Sequence, residues 1–147
     1  NGDGVTDLLY PVDAGSGKLS WRILLGTPAG FAAPLDTGLV TTTSHTIIPG
    51  GVAGNGRTQF LVVQYGYWYV AGYTNAGFTV ANTGLAPSGE YGAADFDGDG
   101  LADLMAQSGG LTPTIHVRRN VSAPASTSLA VQFATSAQSI WTIPARR

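Results

Sequence analysis

The sequence predicts an all-β fold, assembled from units of about 45 residues that each hold several short strands. Three observations support this prediction. Trp21 and Trp68 are 47 residues apart, and each precedes a Gly-Phe pair by nine residues. No window carries an apolar stripe of helical period. Glycine accounts for 21 of 147 residues and clusters between apolar runs, which marks tight turns. Several short strands per unit are typical of a β-propeller blade.

Two kinds of strand are predicted in each unit. Short apolar runs directly follow three glycine-containing loops, at 8–10, 60–63 and 104–106. Longer runs rich in aromatic and β-branched residues come next, at 19–25 and 66–73, with a weaker run at 115–117. Such runs favour strands over helices. The predicted order is therefore glycine loop, inner strand, aromatic strand.

The third glycine loop contains four aspartates at offsets 0, 2, 4 and 8, namely Asp95, Asp97, Asp99 and Asp103. Carboxylates at this density repel one another unless a cation lies between them, and hard oxygen ligands select Ca²⁺. The backbone carbonyl of Leu101 is expected to add a fifth oxygen. The sequence therefore predicts a calcium site in this loop.

The first glycine loop reproduces the last seven positions of that motif. Asn1 stands where Asp97 stands, and Asp3 and Asp7 occupy the next two acidic positions. The same reasoning predicts Asn1, Asp3, Asp7 and the carbonyl of Val5 as a second set of calcium ligands. A surface turn with solvated charges is the alternative for both loops, and it is stronger here because the first ligand position is missing.

The middle loop is an eroded copy of the same motif. Gly51, Ala53, Asn55 and Gln59 replace the four carboxylates, whereas the glycine spacing is retained. We expect this loop to hold its shape by its own hydrogen bonds and to bind metal weakly or not at all. An EF-hand is disfavoured for the acidic loop, because position 12 is Ala106 rather than a bidentate Glu and an apolar strand follows.

The order of these features resembles the FG-GAP/VCBS repeat family, whose blades build the propellers of integrin α subunits and many secreted bacterial proteins. The order is acidic glycine loop, apolar strand, tryptophan strand, Gly-Phe and Thr-Gly-Leu. The tryptophan strand beside Gly-Phe is also similar to blades of bacterial toxin-complex B components and Rhs/YD-repeat proteins. The resemblance implies three blades, at 1–50, 51–94 and 95–147. The first blade is truncated at its start, and the second has a degenerate loop. In the third, 122–125 replaces Gly-Phe.

Three blades are fewer than the roughly 4 to 8 that close a propeller, so we expect a fragment of a longer polypeptide or a ring completed by oligomerisation. The net charge is −2, and six of the nine acids lie in the two acidic loops. No basic stripe indicates nucleic-acid binding. The absence of cysteine excludes disulfides. No apolar run is long enough to span a membrane. This composition suits a secreted or cell-surface bacterial protein.

No catalytic motif is present in the sequence. His45 and His116 lie far apart in sequence, with no evident serine or carboxylate partner for catalysis, and we interpret each as a structural or surface residue. The predicted function is therefore a non-enzymatic, calcium-binding scaffold or protein-binding surface, whose partner is a protein or the rest of the parent polypeptide. The alternative is a carbohydrate-binding module that uses the aromatic cluster Tyr65, Tyr67, Trp68, Tyr69 and Tyr73. A weaker third possibility is a fragment of an enzyme whose active domain lies elsewhere.

Overall fold

The computed structural model describes residues 1–42, 47–74, 77–107, 114–122, 129–134 and 138–142. Within these ranges every regular element is a β-strand, which confirms the predicted all-β class. The strands are β1 (Leu8–Gly15), β2 (Lys18–Leu24), β3 (Gly26–Thr27), β4 (Gly30–Phe31), β5 (Leu35–Thr42), β6 (Ile47–Gly50), β7 (Gln59–Gln64), β8 (Tyr67–Thr74), β9 (Gly77–Asn82), β10 (Glu90–Ala94), β11 (Asp103–Gln107), β12 (Thr114–Arg118) and β13 (Gln138–Thr142). His45 and residues 123–125 lie outside the described ranges.

The strands form three main antiparallel sheets that follow one another along the chain. The first sheet has the order β1-β2-β5, the second β6-β7-β8-β9 and the third β10-β11-β12-β13. A small hairpin, β3-β4, lies between β2 and β5. The described strands therefore make consecutive antiparallel sheets, and among them no closed ring is present.

Two short strands, β6 and β10, lie at the ends of the first and second predicted units. Each pairs with the sheet of the unit that follows. Strand β6 pairs with β7 through Gly50 and Gln59, and β10 pairs with β11 through Ala94 and Asp103. The second and third glycine loops thus connect the first two strands of their sheets. In the first sheet the loop precedes β1, and no described strand lies on the outer edge of β1.

The second and third sheets pack through the larger apolar cluster. Strand alternation directs Leu61 and Val70 of the second sheet to one face, where both are fully buried. They belong to one cluster with Leu104 of the third sheet, and Trp68 lies in the same cluster with 2% of its surface exposed. Full burial of one such aliphatic side chain contributes about 1.5–3 kcal/mol. This interface is the main core of the described chain.

The first and second sheets pack through a smaller cluster. Leu39 of β5 contacts the group formed by Val62 and Ala71, which lie on the opposite face of the second sheet from Leu61. Trp21 packs at the margin of this cluster. The second sheet is therefore covered on both faces, whereas each of its neighbours contributes one face to the described core.

The Thr-Gly-Leu segments have a local role in both places where they occur. The hydroxyl of Thr37 donates to the carbonyl of Trp21 at 2.7 Å, and the hydroxyl of Thr83 donates to the carbonyl of Trp68 at 2.8 Å. In each case the threonine cross-links the tryptophan strand to the next strand. The matched contacts explain why the two segments share a sequence pattern.

A buried ion pair links β10 and β12 within the third sheet, and a hydrogen bond from Trp68 attaches it to the second sheet. Glu90 Oε1 lies 3.2 Å from Arg118 Nε, and only 2% and 10% of these side chains are exposed. Glu90 Oε2 accepts hydrogen bonds from the indole of Trp68 and from Ser88 N. Burial acts to raise the pKa of Glu90, but the hydrogen bonds from Ser88 and Trp68 outweigh it and hold the pKa below its ordinary value. The charged carboxylate is therefore the form that the fold favours.

We expect Glu90→Gln to lower the free energy of unfolding by about 3–5 kcal/mol at neutral pH, the range for a buried pair that loses one partner. A lowered folded pKa means that the contribution of Glu90 is fully present above the ordinary value of 4.5 and is lost as pH falls through the folded pKa. The difference between the two proteins should shrink accordingly below that pH. Urea unfolding at several pH values tests this. Asp36→Asn at an exposed acid is the control, and equal stability of Glu90→Gln and the parent at pH 7 would contradict the expectation.

Candidate metal centre

Three of the predicted ligands converge in the loop that joins β10 to β11. Gly98 and Gly100 have φ values of 80° and 86°, a left-handed conformation that glycine adopts without strain. The two reversals bring one carboxylate oxygen each from Asp95, Asp97 and Asp99 within 4.8 Å of one another. All three side chains are exposed to solvent. The geometry can hold a cation, as the spacing in the sequence predicts.

Backbone N–H groups fix the carboxylates in this arrangement. Asp95 accepts hydrogen bonds from Gly98 N at 2.7 Å and Gly100 N at 2.9 Å. Asp99 Oδ1 accepts from Leu101 N at 2.8 Å. Each carboxylate oxygen has a second lone pair, so these bonds orient the side chains without consuming their capacity to bind a cation.

One of the three carboxylates already has a cationic partner. Arg119 Nε lies 2.8 Å from Asp97 Oδ2, and 49% of the arginine side chain is exposed. Pairs with this much exposure typically contribute no more than about 1 kcal/mol. Arg119 therefore reduces the repulsion within the cluster, and a cation bound there would compete with it for Asp97.

Asp103 lies outside the cluster and has a different environment. Its side chain is fully buried, Oδ1 accepts from Asn120 N at 2.7 Å and Oδ2 accepts from Phe96 N at 3.1 Å. Burial raises the pKa of Asp103, and the charges of Asp97 and Asp99 act in the same direction, whereas the two hydrogen bonds oppose it. This carboxylate ties the start of the loop to the segment after β12. Its predicted role as a metal ligand stays a prediction.

The first loop has the same turns with fewer charges. Asn1 Oδ1 accepts from Asp3 N at 2.9 Å, and Asp3 Oδ1 accepts from Val5 N at 2.8 Å. The bond from Val5 N lowers the pKa of Asp3, and so does a bond that Asn1 Nδ2 donates to Asp3 Oδ2 at 3.0 Å. Asp7 lies at the end of the loop, where it accepts from Gly26 N at 2.9 Å. Asp7 is thus held by a backbone donor, as Asp103 is.

The eroded loop holds its shape by its own hydrogen bonds, as predicted. Asn55 Oδ1 accepts from Arg57 N at 3.1 Å and from Gln59 Nε2 at 2.8 Å. The buried Gln59 side chain also donates to the carbonyl of Arg57 and accepts from Ala53 N. The loop contains no acidic residue. Its interior is occupied by amide groups where the third loop presents carboxylates.

The structure separates the aromatic cluster into packed and exposed members. Trp68 is buried, and Tyr73 makes an edge contact with Phe78 at 5.5 Å between ring centroids. Tyr65 is 89% exposed, and Tyr67 is also exposed. Trp68 is therefore a core residue, and the rings that face solvent belong to Tyr65 and Tyr67.

Asn120 is a structural residue that the sequence did not reveal. It is almost fully buried, and its Nδ2 donates to the carbonyls of Val52 at 2.8 Å and Ala102 at 3.2 Å. The bond to Val52 spans 68 residues of sequence. No local pattern marks such a contact, because the partner lies in the preceding sheet.

Comparison with known proteins gives no relative for this chain. No family model matches it, and neither a curated protein nor a solved structure does. Among the described residues, no helix has the length and apolarity that crossing a membrane requires.

Asp103 and Asp99 should respond differently to the same substitution. Asp103→Asn places an amide N–H₂ against a backbone donor, so we expect a loss of about 1–3 kcal/mol in the free energy of unfolding without added metal. Asp99→Asn changes an exposed side chain that can keep its turn, and the change should stay within about 0.5 kcal/mol. Chemical denaturation in a chelator measures both. Equal effects of the two substitutions would show that Asp103 is not the tether.

Proposed function

We propose that this chain is a calcium-binding segment of a β-propeller, and that it serves as a non-enzymatic scaffold or protein-binding surface of a secreted or cell-surface bacterial protein. The single observation that carries the metal proposal is the convergence of Asp95, Asp97 and Asp99 within 4.8 Å on an exposed loop. The resemblance to FG-GAP/VCBS blades, including those of Rhs and toxin-complex proteins, supplies the wider context.

The donor set favours Ca²⁺ among common metals. The cluster offers only carboxylate oxygens, and the chain contains no cysteine. Soft or borderline metals prefer sulfur and nitrogen, whereas Ca²⁺ accepts six to eight oxygens in flexible geometry. Carbonyl groups of the loop and water would complete the shell around three side chains. Solvent exposure of the cluster suits a cation that retains water.

Such a site would tighten the loop and leave the fold of the remaining chain unaffected. Extracellular modules bind Ca²⁺ with dissociation constants on the order of 10⁻⁴ to 10⁻³ M. At tenfold excess of calcium the linkage contributes about 1.4 kcal/mol. The bound ion would reduce the repulsion among the three carboxylates. Arg119 reduces this repulsion only at Asp97.

The arrangement of the sheets supports the propeller part of the proposal. Three antiparallel sheets of consecutive strands follow one another, and adjacent sheets share buried clusters. The hydroxyls of Thr37 and Thr83 make the same cross-link in the first and second sheets. Blades of a propeller are four-stranded sheets arranged around an axis. Consecutive packing of this kind is what part of such a ring would show.

Calorimetric titration with Ca²⁺ tests the metal site. The parent chain should show saturable binding with a dissociation constant on the order of 10⁻⁴ to 10⁻³ M. Asp99→Asn should weaken binding at least about tenfold, because one of three converging charges is removed. Asn55→Ala in the eroded loop should leave binding unchanged. No calcium heat in the parent chain, or equal losses from the two substitutions, would refute the site.

Carbohydrate binding is a second candidate, favoured by one observation. Tyr65 has φ 49°, which is uncommon outside glycine, and its ring is 89% exposed on the turn between β7 and β8. Shallow clefts of about 220 Å³ and 250 Å³ flank the ring. Between them Gln64 Nε2 donates to the carbonyl of Val40, so polar groups lie beside an aromatic face. Sugar rings stack on such faces.

A glycan array with the intact chain tests this candidate. If the tyrosine is a stacking platform, Tyr65→Ala should remove binding, whereas Tyr91→Ala at another exposed ring should not. Both variants should unfold at the same denaturant concentration as the parent chain, since neither ring is buried. Absence of glycan binding by the parent chain, or identical binding by both variants, would reject it.

A further inference from the structure

The first sheet has an outer edge that its counterparts lack. In the second sheet β6 covers the edge of β7, with Ile48 opposite Leu61. In the third sheet β10 covers the edge of β11, with Ala93 opposite Leu104. Among the described strands, β1 pairs only with β2. Unpaired edges present N–H and C=O groups that can accept another strand.

The strand pairs show which residues of the first sheet correspond to the core of the second. Leu9 pairs with Ile23 in the first sheet, as Leu61 pairs with Val70 in the second. Leu61 is fully buried, whereas Leu9 is only partly buried. Ile48 of β6 covers Leu61. No described residue occupies the corresponding position beside Leu9.

A cleft lies where this counterpart would be. It has a volume of about 520 Å³, and Leu9, Ile23, Phe60 and Tyr73 give it apolar walls. The cleft continues the buried interface between the first and second sheets, in which Trp21 and Val62 take part. The first and middle glycine loops supply the rest of the lining, among them Asp7 and Arg57, so apolar and polar walls both border the cleft.

The interface between the second and third sheets shows how the same place is filled. Ile48 and Val52, on either side of Gly50, are buried there. Ala102 N donates to the carbonyl of Gly51 at 3.2 Å. Thr58 precedes Gln59 as Ala102 precedes Asp103, and Thr58 lines the cleft. A segment in the cleft would therefore offer a carbonyl to Thr58 N.

We propose that the outer edge of β1, which no described strand covers, binds an extended polypeptide segment with the pattern of β6 and the residues that follow it. The segment pairs antiparallel with residues 7–10, and its sequence is apolar, any residue, glycine, any residue, apolar. Its first apolar side chain covers Leu9 and fills the cleft. This adds a defined partner to the scaffold proposed above, and it does not depend on metal binding.

The glycine in this pattern has a steric reason. A Cβ atom at Gly50 would lie 3.2 Å from the Cβ of Ala102 and 3.3 Å from that of Ala93. At the first sheet the corresponding neighbours are Thr58 and Pro49, which are larger than alanine. A side chain at this position of the bound segment would therefore collide with the second sheet.

The length of the pairing is also limited. Pairing of β6 with β7 ends at Val62, and pairing of β10 with β11 ends at Ala106. Val62 and Ala106 each lie three residues after the polar residue that ends the loop. The residue at that position in the first sheet is Tyr10. The next residue of β1 is Pro11, which has no N–H to donate to a strand. Four residues, 7–10, are thus available, of which three belong to β1, and four residues make up β6.

The test uses the intact chain and a capped synthetic peptide with the sequence of Ile47–Ala53, added in a two-dimensional NMR titration. We expect saturable shifts at residues 8–10, Ile23 and Thr58, together with slower exchange of amide protons in the first part of β1. A peptide with valine in place of Gly50 should produce none of these changes. Calcium should make no difference, so the result is independent of the metal site.

A pair of protein variants separates the cleft from the rest of the strand. Leu9→Ser should weaken the peptide at least about tenfold, because it removes the apolar wall. Leu8→Ser is the control, since Leu8 is 46% exposed and points to the opposite face. Absence of saturable shifts at millimolar peptide, or shifts confined to other surfaces, would overturn the proposal. Shifts at 8–10 that change on dilution and persist when the peptide is added would also overturn it. They would show that a second copy of the chain occupies the edge.

Discussion

The polar side chain that ends each glycine loop is the constraint on which the surrounding structure depends. Asp7, Gln59 and Asp103 occupy this position, and each accepts hydrogen bonds from backbone N–H groups. Ala53 N and Phe96 N lie at the start of their loops, whereas Gly26 N and Asn120 N belong to neighbouring segments, so these bonds anchor the end of each loop. Gln59 and Asp103 are fully buried at the first residue of the following strand, and Asp7 is partly buried one residue before β1. Loop shape is therefore set by hydrogen bonds that need no metal.

This constraint explains how three carboxylates can remain close together on the surface. Asp103 is buried and anchored by Phe96 N and Asn120 N, so the loop ends are fixed before any ligand binds. The side chains of Asp95, Asp97 and Asp99 can then project outward, where water screens their repulsion. The eroded loop keeps the anchor in the form of Gln59 and loses the outward charges. Anchoring and charge accumulation are thus separate properties of one turn.

The sequence predicted what is decided locally. Inner and aromatic strands follow from short apolar and β-branched runs, and the turns follow from glycine spacing. The sequence did not predict that Asp103 is buried while the other three aspartates of the loop are exposed. The role of Asp103 depends on Asn120, which is 17 residues away. The amide at Gln59 was the available signal, since a loop without carboxylates still keeps an acceptor there. Pairing of β6 and β10 with the strands after their loops crosses the unit boundaries that the sequence places after 50 and 94, and the observed register shows it.

The contacts between the second and third sheets show why the eroded loop is retained. The carbonyls of Gly51 and Val52 accept hydrogen bonds from Ala102 N and Asn120 Nδ2. Val52 is itself fully buried in the shared core. The start of this loop is therefore part of an interface between sheets, and its shape matters even where it presents no charge to a cation. Asn120 also donates its backbone N–H to Asp103, so the acidic loop and the eroded loop meet at one buried residue. If calcium orders the acidic loop as proposed, the effect would reach the interface through Asn120, and a linkage of about 1.4 kcal/mol at tenfold excess of calcium would bound it.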